Sequence, residues 1–544
     1  MAQKRPPPTI NRATPLGAAK APPPPNFTAV HVLVQNLMFK WALLDDVLAG
    51  EAAVKAKGEH YLPIPRVDDD EEENRKRYHV YRQRAVFYNA SRRTLDGLVG
   101  EVFSRDPIIE LPPSMAMMAG NVDGAGVSID QQSKLALSYV MGYGRAGLLA
   151  DYPATDGPVT QADINSGKIR PVVIMFRPHD VINWRFKMVG AKRVPVLVVI
   201  AESYLDESDP FETKTNKQWR VLYVETVDGV DTYKVKVWRR RVRLPADPIV
   251  DGREDWNEID YEYASYTPRD AEGRVLNEIP FTFLGSVNNN ETPDDPPMYD
   301  LAIINIAHYR NSADYEESCF MVGQPTAWFS GLTQNWVEDV FKGKVYLGSR
   351  AAIPLPAGAQ AGLLQVNPNS MPKEAMDQKE RQMVALGAKL VTSGNVQRTL
   401  GEAQIEEASS ASILSTATKN VSKGYTDILR LAAKFVRGVG DLEKIRFDLN
   451  TDFPASRLTP NDRNQLIQEW QSGAITWNEM RDGLRRGGIA TTKDEDAKKE
   501  IEANPPPNVV KEREAMALER ESMAANNRAT RPNGSANGGN QNGQ

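Results

Sequence analysis

Residues 299–320 read YDLAIINIAHYRNSADYEESCF. Apolar residues recur at helical intervals in the first half and charged residues crowd the second, so the spacing predicts one long helix that changes character midway. A turn cluster, NNNETPDDPP at 288–297, sets it apart from what precedes. The stretch also carries Cys319, the only cysteine of the chain. That count excludes an intramolecular disulfide and any multi-cysteine zinc or iron–sulfur site, and it fits a reducing compartment. His308 and Cys319 stand about 16 Å apart along a helix axis, too far to chelate one ion. Cys319 therefore reads as a small buried filler.

The surrounding chain has 544 residues, 41% of them hydrophobic, enough for several domains with real cores. The longest apolar run, VPVLVVIA at 194–201, is less than half of the roughly 20 residues a helix needs to span a bilayer. Residues 1–27 read as a proline-rich, disordered arm without the apolar core of a signal peptide. Net charge is −5, so the overall basic footprint of a protein that grips nucleic acid is missing. The acidic block Asp68 to Glu73, followed by Arg75, Lys76 and Arg77, reads as a solvated face or helix end.

Periodicity predicts a helix over 28–56 and another from Glu72. On the second, Tyr81, Ala85, Tyr88, Leu95, Val99 and Val102 form one apolar stripe. Arg82, Arg84, Arg92 and Arg93 alternate with Tyr81, Phe87 and Tyr88, but aromatics in such a stripe are more often packing residues than stacking platforms for bases. From Ile169 to Gly285 the period changes to two, and Asp228-Gly229 marks a hairpin with Tyr233, Val235 and Val237 on one face and Lys234 and Lys236 on the other. This predicts an antiparallel β-rich part rather than a doubly wound nucleotide-binding sheet. A helix is expected from Met371 to Val391 with Met376, Met383 and Leu390 seven apart, then a long one from Ala403 to about Arg437. Thr459-Pro460 and the capping box Thr476/Glu479 predict two short helices near the C-terminus, stopped by Gly487-Gly488.

The motif GYGRAG, Gly142 to Gly147, satisfies G-x-G-x-x-G, but dinucleotide binding requires a strand before it and a helix after. Here helix-like DQQSKLALSYVM precedes and strand-like GLLADYP follows, so the glycines read as a tight helix-to-strand turn. No G-x-x-x-x-G-K-[ST], H-E-x-x-H or G-x-S-x-G occurs in the chain. His179-Asp180 reads as a loop hydrogen bond in preference to a catalytic fragment. No cofactor, metal site or catalytic residue is expected.

From Tyr299 onward the order of elements resembles the portal, or head-to-tail connector, proteins of tailed double-stranded-DNA bacteriophages. YDLAIINIAHYRNSADYEESCFMVGQPTAWFSG looks like a first stem helix with its exit into a clip. AAIPLPAGAQAGLLQVNPNSMPKEAMDQKERQMVALGAKLV looks like the clip's end and the returning stem helix. Upstream, YNASRRTLDGLVGEVFSRDP and YVMGYGRAGLLADYP look like parts of a wing. The resemblance implies an α+β multidomain fold assembled as a ring. Its parts would be a wing over 28–298, a first stem helix over 299–322, a small α/β clip over 323–368 and a second stem helix over 369–391. A tunnel loop over 392–402, a long wing helix and strand over 403–457 and crown helices over 458–502 follow, and 503–544 form a charged segment and disordered tail.

On this reading Leu301, Ile304, Tyr315, Met376, Met383 and Leu390 pack the stem, with Leu301, Ile304 and Tyr315 turned towards neighbouring copies. Arg310, Asp314, Glu316 and Glu317 meet solvent or adjacent subunits. Trp328, Phe329, Trp336 and Tyr346 belong to the clip, and Thr392, Ser393, Gly394, Asn395, Val396, Gln397, Arg398 and Thr399 form the tunnel loop, with Gly394 and Gly401 as its pivots. The implied protein is a non-enzymatic ring, twelve copies in the family, at one capsid vertex of the virion, assembled in the host cytoplasm. Its implied partners are non-specifically held double-stranded DNA in the channel, the terminase large subunit, the major capsid protein or scaffold, and head–tail adaptors, with no membrane. Twelve chains at −5 would sum to roughly −60, a field that lets DNA slide. The alternatives are another phage head structural protein, such as a minor head protein or adaptor, and a dinucleotide-dependent enzyme.

Overall fold

Trp41 is fully buried on the first helix, α1 (Val32–Ala49), where its indole Nε1 donates to the carbonyl of Tyr143 at 3.0 Å. Around it the computed structural model describes residues 26–65, 71–152, 170–206, 211, 213–242, 258–324, 326–339, 354–365, 369–391, 413–451, 460–486, 490, 492, 494–505, 511 and 514–523. The chain divides into Met1–Thr451 and Asp452–Gln544.

In the first unit Gly50, at φ 100°, breaks the helix expected over 28–56 into α1 and the short α2 (Glu51–Ala56). The helix from Glu72 is likewise two helices, α3 (Glu72–Arg84) and α4 (Ala90–Val102). The interruption has a local cause and a tertiary one. Asn89 caps α4 by accepting from the Arg92 amide at 3.0 Å, and the Val86 amide donates to Ser312 Oγ at 2.9 Å. Of the predicted stripe, Tyr81, Ala85, Leu95, Val99 and Val102 are buried, whereas Tyr88 in the link is 46% exposed. Phe87 and Tyr81 are core residues, as the packing reading requires.

A short helix α5 (Met117–Gly120) precedes α6 (Ile129–Tyr143), which opens on a Ser128/Gln131 capping box. The expected β-rich part is two separate sheets. Strands β2 (Arg145–Asp151), β3 (Val172–Phe176) and β9 (Phe281–Gly285) make an antiparallel sheet in the order β3-β2-β9. Strands β4 (Val181–Val189), β5 (Lys192–Asp206), β6 (Lys214–Val227), β7 (Val230–Val242) and β8 (Glu258–Tyr266) form an antiparallel meander in chain order. Asp228 (φ 51°) and Gly229 (φ 80°) turn β6 into β7, with Val227 paired to Val230. Tyr233 and Val235 point inward, while Lys234 and Lys236 sit opposite Glu225 and Glu262 at 2.6 and 2.9 Å. A two-stranded pair, β1 (Ile108–Glu110) with β12 (Arg446–Asp448), closes the core.

The remaining helices of this unit are α7 (Tyr299–Gly323), α8 (Gln334–Asp339), α9 (Met371–Val391) and α10 (Ile413–Ala432). The long helix expected to reach Arg437 stops at Ala432 and tightens into a 3₁₀ turn over Ala433–Phe435; residues 403–412 of that expectation lie outside the described residues. Leu414, Ala417, Val421, Tyr425, Ile428 and Leu429 form its buried stripe, and the Tyr425 hydroxyl meets Gln132 Oε1 at 3.0 Å. A Cβ on Gly424 would stand 2.0 Å from Leu284 Cδ2, so any larger residue would force the Leu284 side chain of β9 to shift.

In the second unit Pro460 opens α11 (Pro460–Gln471), and α12 (Trp477–Arg486) starts on the predicted capping box. The Thr476 amide donates to Glu479 Oε2 at 2.7 Å and the Glu479 amide to Thr476 Oγ1 at 3.3 Å. Helix α13 (Asp494–Ala503) follows, and residues 514–523 are helical, as their charge pattern allows. Residues 1–25, the end of the tail, Thr459 and Gly487-Gly488 lie outside the described residues.

Candidate functional site

The site is the unit built from α7, a two-stranded antiparallel sheet and α9. The amino-terminal half of α7 is held by a polar row that the apolar periodicity of its sequence hides. Asn305 Oδ1 accepts from the amide and hydroxyl of Ser91 at 3.1 and 3.0 Å, and its Nδ2 donates to the Tyr88 carbonyl at 2.7 Å. One turn on, His308 is buried, with Nε2 3.3 Å from Glu380 Oε1 on α9. Ser312 follows, holding the Val86 amide. Asn305, His308 and Ser312 recur at three- and four-residue steps, which is the signal that could have revealed a buried polar seam.

The charged half is anchored too. Asp314 accepts from the Tyr81 hydroxyl at 2.6 Å, and Glu317 receives Arg84 Nη1 at 2.6 Å and Arg77 Nη2 at 3.1 Å. Arg310 Nε donates to the Tyr61 carbonyl at 2.7 Å. Burial, then the Asp314 carboxylate, pushes the Tyr81 hydroxyl well above the usual phenol range. Arg310 and Asp314 are exposed, as expected, and Glu317 is half-buried. All three are in addition bonded to partners on α3 and the Tyr61 loop, distant in sequence, which the expectation did not include. Leu301 is 1% exposed and belongs to this core, so it is not available to neighbouring copies; Ile304 and Tyr315 are half-buried. Cys319 is exposed, which corrects its reading as a buried filler. It lies past Glu317, where α7 has left the body that buried its first half.

Beyond α7, strands β10 (Thr326–Ser330) and β11 (Gln360–Leu364) pair antiparallel, with Trp328 opposite Gly362. The Trp328 indole lies where a Gly362 Cβ would stand, 2.8 Å from Nε1, yet its side chain is 42% exposed. Leu363 and Leu364 are more exposed still, at 60% and 68%. Phe329 and Trp336 are half-buried, and Trp336 Nε1 is enclosed. Tyr346 lies outside the described residues. Helix α9 lies along α7; Met383 is buried, Met376 half-buried, and the side chain of Leu390 is outside the described set. Thr392, Ser393, Gly394, Asn395, Val396, Gln397, Arg398 and Thr399, the expected tunnel loop, also lie outside the described residues.

The start of α7 is fixed by the GYGRAG turn. Gly144 caps α6 at φ 80°, and a Cβ there would fall 2.5 Å from the Asp294 carbonyl oxygen. The helix-to-strand reading of this motif holds. Next to it Arg145 is buried between the rings of Phe283 and Trp184, at 3.4 and 4.2 Å from their centroids, with Nη2 donating to the Glu291 carbonyl at 3.0 Å. Burial pulls its guanidinium down to about 9 against the opposing pull of Asp294 and Glu291, leaving it charged at neutral pH. His31 stacks on the far side of Trp184 at 4.3 Å and caps α1 by accepting from the Leu33 amide at 3.2 Å. Burial, then Arg145, lowers its pKa. Asp294 Oδ2 in turn accepts from the Val287 amide at 2.7 Å, so the 286–298 turn is clamped before α7 begins.

At the foot of α1, Asp45 accepts from the Tyr143 hydroxyl at 2.8 Å and sits 3.1 Å from His179 Nε2. Burial raises the Asp45 carboxyl, but the contacts with His179 and Tyr143 outweigh it and hold it below its ordinary value. Asp180 accepts from the Arg177 amide at 2.9 Å, the predicted loop hydrogen bond. Among the described residues no group of three or more His, Cys, Asp or Glu could hold a metal ion, and no helix is long and apolar enough to cross a membrane.

Residues 297–436, from just before α7 into the turn after α10, match a family described as a domain of unknown function, DUF4055. No curated protein matches the chain. Among solved structures, it is similar to a chain from the neck of an empty gene transfer agent particle computed with C6 symmetry. That match has 12% identity and a TM-score of 0.35, and it covers 80% of this chain and 98% of that one. A chain from the virion of a native gene transfer agent particle is similar at 12% identity and TM-score 0.34, with the same coverage. Likeness at that TM-score fixes no function.

Proposed function

We propose that the chain is a phage portal protein: a ring-forming, non-enzymatic DNA conduit at one capsid vertex of a virion. It would dock a terminase motor during packaging and head–tail adaptors afterwards, with ATP hydrolysis left to the motor. The observation that supports this reading is the unit of α7, the β10–β11 pair and α9. A 25-residue helix is bolted to the body as far as Glu317, leads into a small exposed pair of strands and is accompanied by a helix of 21 residues. Such an arrangement fits a strut that projects a small module from a rigid body. The net charge of −5 suits a wall that must not hold phosphate.

The test acts on the segment after α9. Deleting Gly394 to Thr399 is expected to leave assembly intact and to impair genome packaging in a reconstituted head. Normal packaging by that variant would remove the tunnel-loop assignment and, with it, the conduit reading of α9.

A further inference from the structure

The buried stripe of α10 has a counterpart on the opposite side of the helix. Lys419, Lys423 and Arg430 follow one another at steps of four and seven residues, which keeps them on one face over about 16 Å of axis. Lys434, in the 3₁₀ turn, continues the row. Lys192, at the start of β5, joins it from the sheet, since Lys192, Lys423 and Arg430 all act on the carboxyl of Asp427. The face is held firmly in place. Asn420, beside Lys419, donates through Nδ2 to the Gly285 carbonyl at 2.9 Å, and its own carbonyl accepts from Asn289 Nδ2 at 2.8 Å.

The far end of the row is accounted for inside the chain. Arg430 pairs with Glu443 at 3.0 Å, and Lys434 shares Glu278 with Lys192. Arg430 and Lys434 also stand at the carboxyl-terminal end of the helix, where its dipole favours cations. Lys419 and Lys423 have neither explanation. Both are exposed, and among the described residues no carboxylate stands within ion-pair distance of either. As like charges four residues apart they repel each other, a small cost to the helix. Asp427 lies one turn on, but burial pushes its carboxyl up and no ion pair among the described residues reaches it.

A line of cations, two of them uncompensated, matches a polyanion whose charges are also closely spaced along a line. One strand of a duplex presents a phosphate about every 3.4 Å of axis, so the row faces about four or five phosphates. Lysine suits such a contact because its ammonium is a point charge that accepts any phosphate orientation. The chain as a whole is acidic, at −5, so any hold on nucleic acid has to be local. We propose that Lys419 and Lys423, with Arg430 and Lys434 extending the row, form a sequence-independent contact for the phosphate backbone of duplex DNA. The choice of duplex DNA as the polyanion rests on the conduit reading, whereas the row of uncompensated charge does not.

The test is fluorescence anisotropy of the full chain with a short labelled duplex of mixed sequence, between about 50 and 200 mM salt. Lys419→Gln/Lys423→Gln is expected to weaken binding several-fold and to flatten the slope of log affinity against log salt by about 1.8, the share of two phosphate contacts. Lys214→Gln/Lys217→Gln removes the same charge from exposed positions on β6 and is expected to change neither quantity. Equal effects from the two pairs, or wild-type affinity and slope in the first, would overturn the contact. So would a first pair that disrupts assembly while duplex affinity holds, since the row would then face a neighbouring copy. Binding of polyglutamate in preference to the duplex would overturn it as well. Electron micrographs of the same samples keep the two readings apart. Closed rings whose duplex binding ignores the two lysines sink this contact alone, whereas monomers that bind duplex through them sink the conduit alone.

Discussion

Gly144 carries more of the architecture than any larger residue near it. Its positive φ and the 2.5 Å approach a Cβ would make to the Asp294 carbonyl are independent penalties. Gly144→Ala should therefore cost about 1–3 kcal/mol from backbone strain alone, read from urea denaturation; an unchanged midpoint would contradict this account of the turn. His31 sets a different condition. Its imidazole must be neutral at Nδ1 to accept from the Leu33 amide, and burial and Arg145 lower its pKa from the ordinary 6.5. The folded state then binds fewer protons than the unfolded one, so this contribution is complete above pH 6.5 and is lost as pH falls below it. His31→Asn, which keeps a cap acceptor and cannot titrate, should flatten the fall of melting temperature between pH 7 and 5. An equally steep fall in the variant would show that the dependence arises elsewhere.

At the scale of elements, α7 depends on buried polar bonds as much as on its apolar face. Asn305→Leu removes one amide and leaves the amide and the hydroxyl of Ser91 without their acceptor in a buried seam, while the Tyr88 carbonyl keeps the Ala90 amide at 2.8 Å. At about 1–3 kcal/mol for each stranded group, a total of about 3 kcal/mol is expected, measured by chemical denaturation. A loss under 1 kcal/mol would mean that these groups find other partners. Long periodic helices were legible in the sequence: α7 was expected over 299–322 and runs Tyr299–Gly323, and α9 and the Asp228-Gly229 hairpin fall where their patterns place them. Interruptions were less so. The break between α3 and α4 has one local signal, the Asn89 cap in VFYNA, and otherwise depends on Ser312, more than two hundred residues away. The anchoring of Asp314 and Glu317 to α3 was hidden for the same reason, since charge on a helix looks identical whether its partner is water or a distant arginine.

For the whole molecule, the candidate site divides along the same line. The order helix, short-stranded region, helix could be read from spacing and turn residues, because each is a local property. Which faces of α7 remain for neighbouring copies could not, because that depends on what the body already covers. The body takes Leu301 and the polar seam, leaving Ile303, Phe320 and Met321 exposed, at 44%, 37% and 45%. Exposed residues Trp328, Leu363 and Leu364 of the β10–β11 pair add to the apolar surface that a single chain leaves uncovered, and closed rings bury such surface between identical copies. The direct measurement is negative-stain electron microscopy of the purified full-length chain at several salt concentrations. The account predicts closed rings with a central hole; a field of monomers or open filaments under every condition would contradict it.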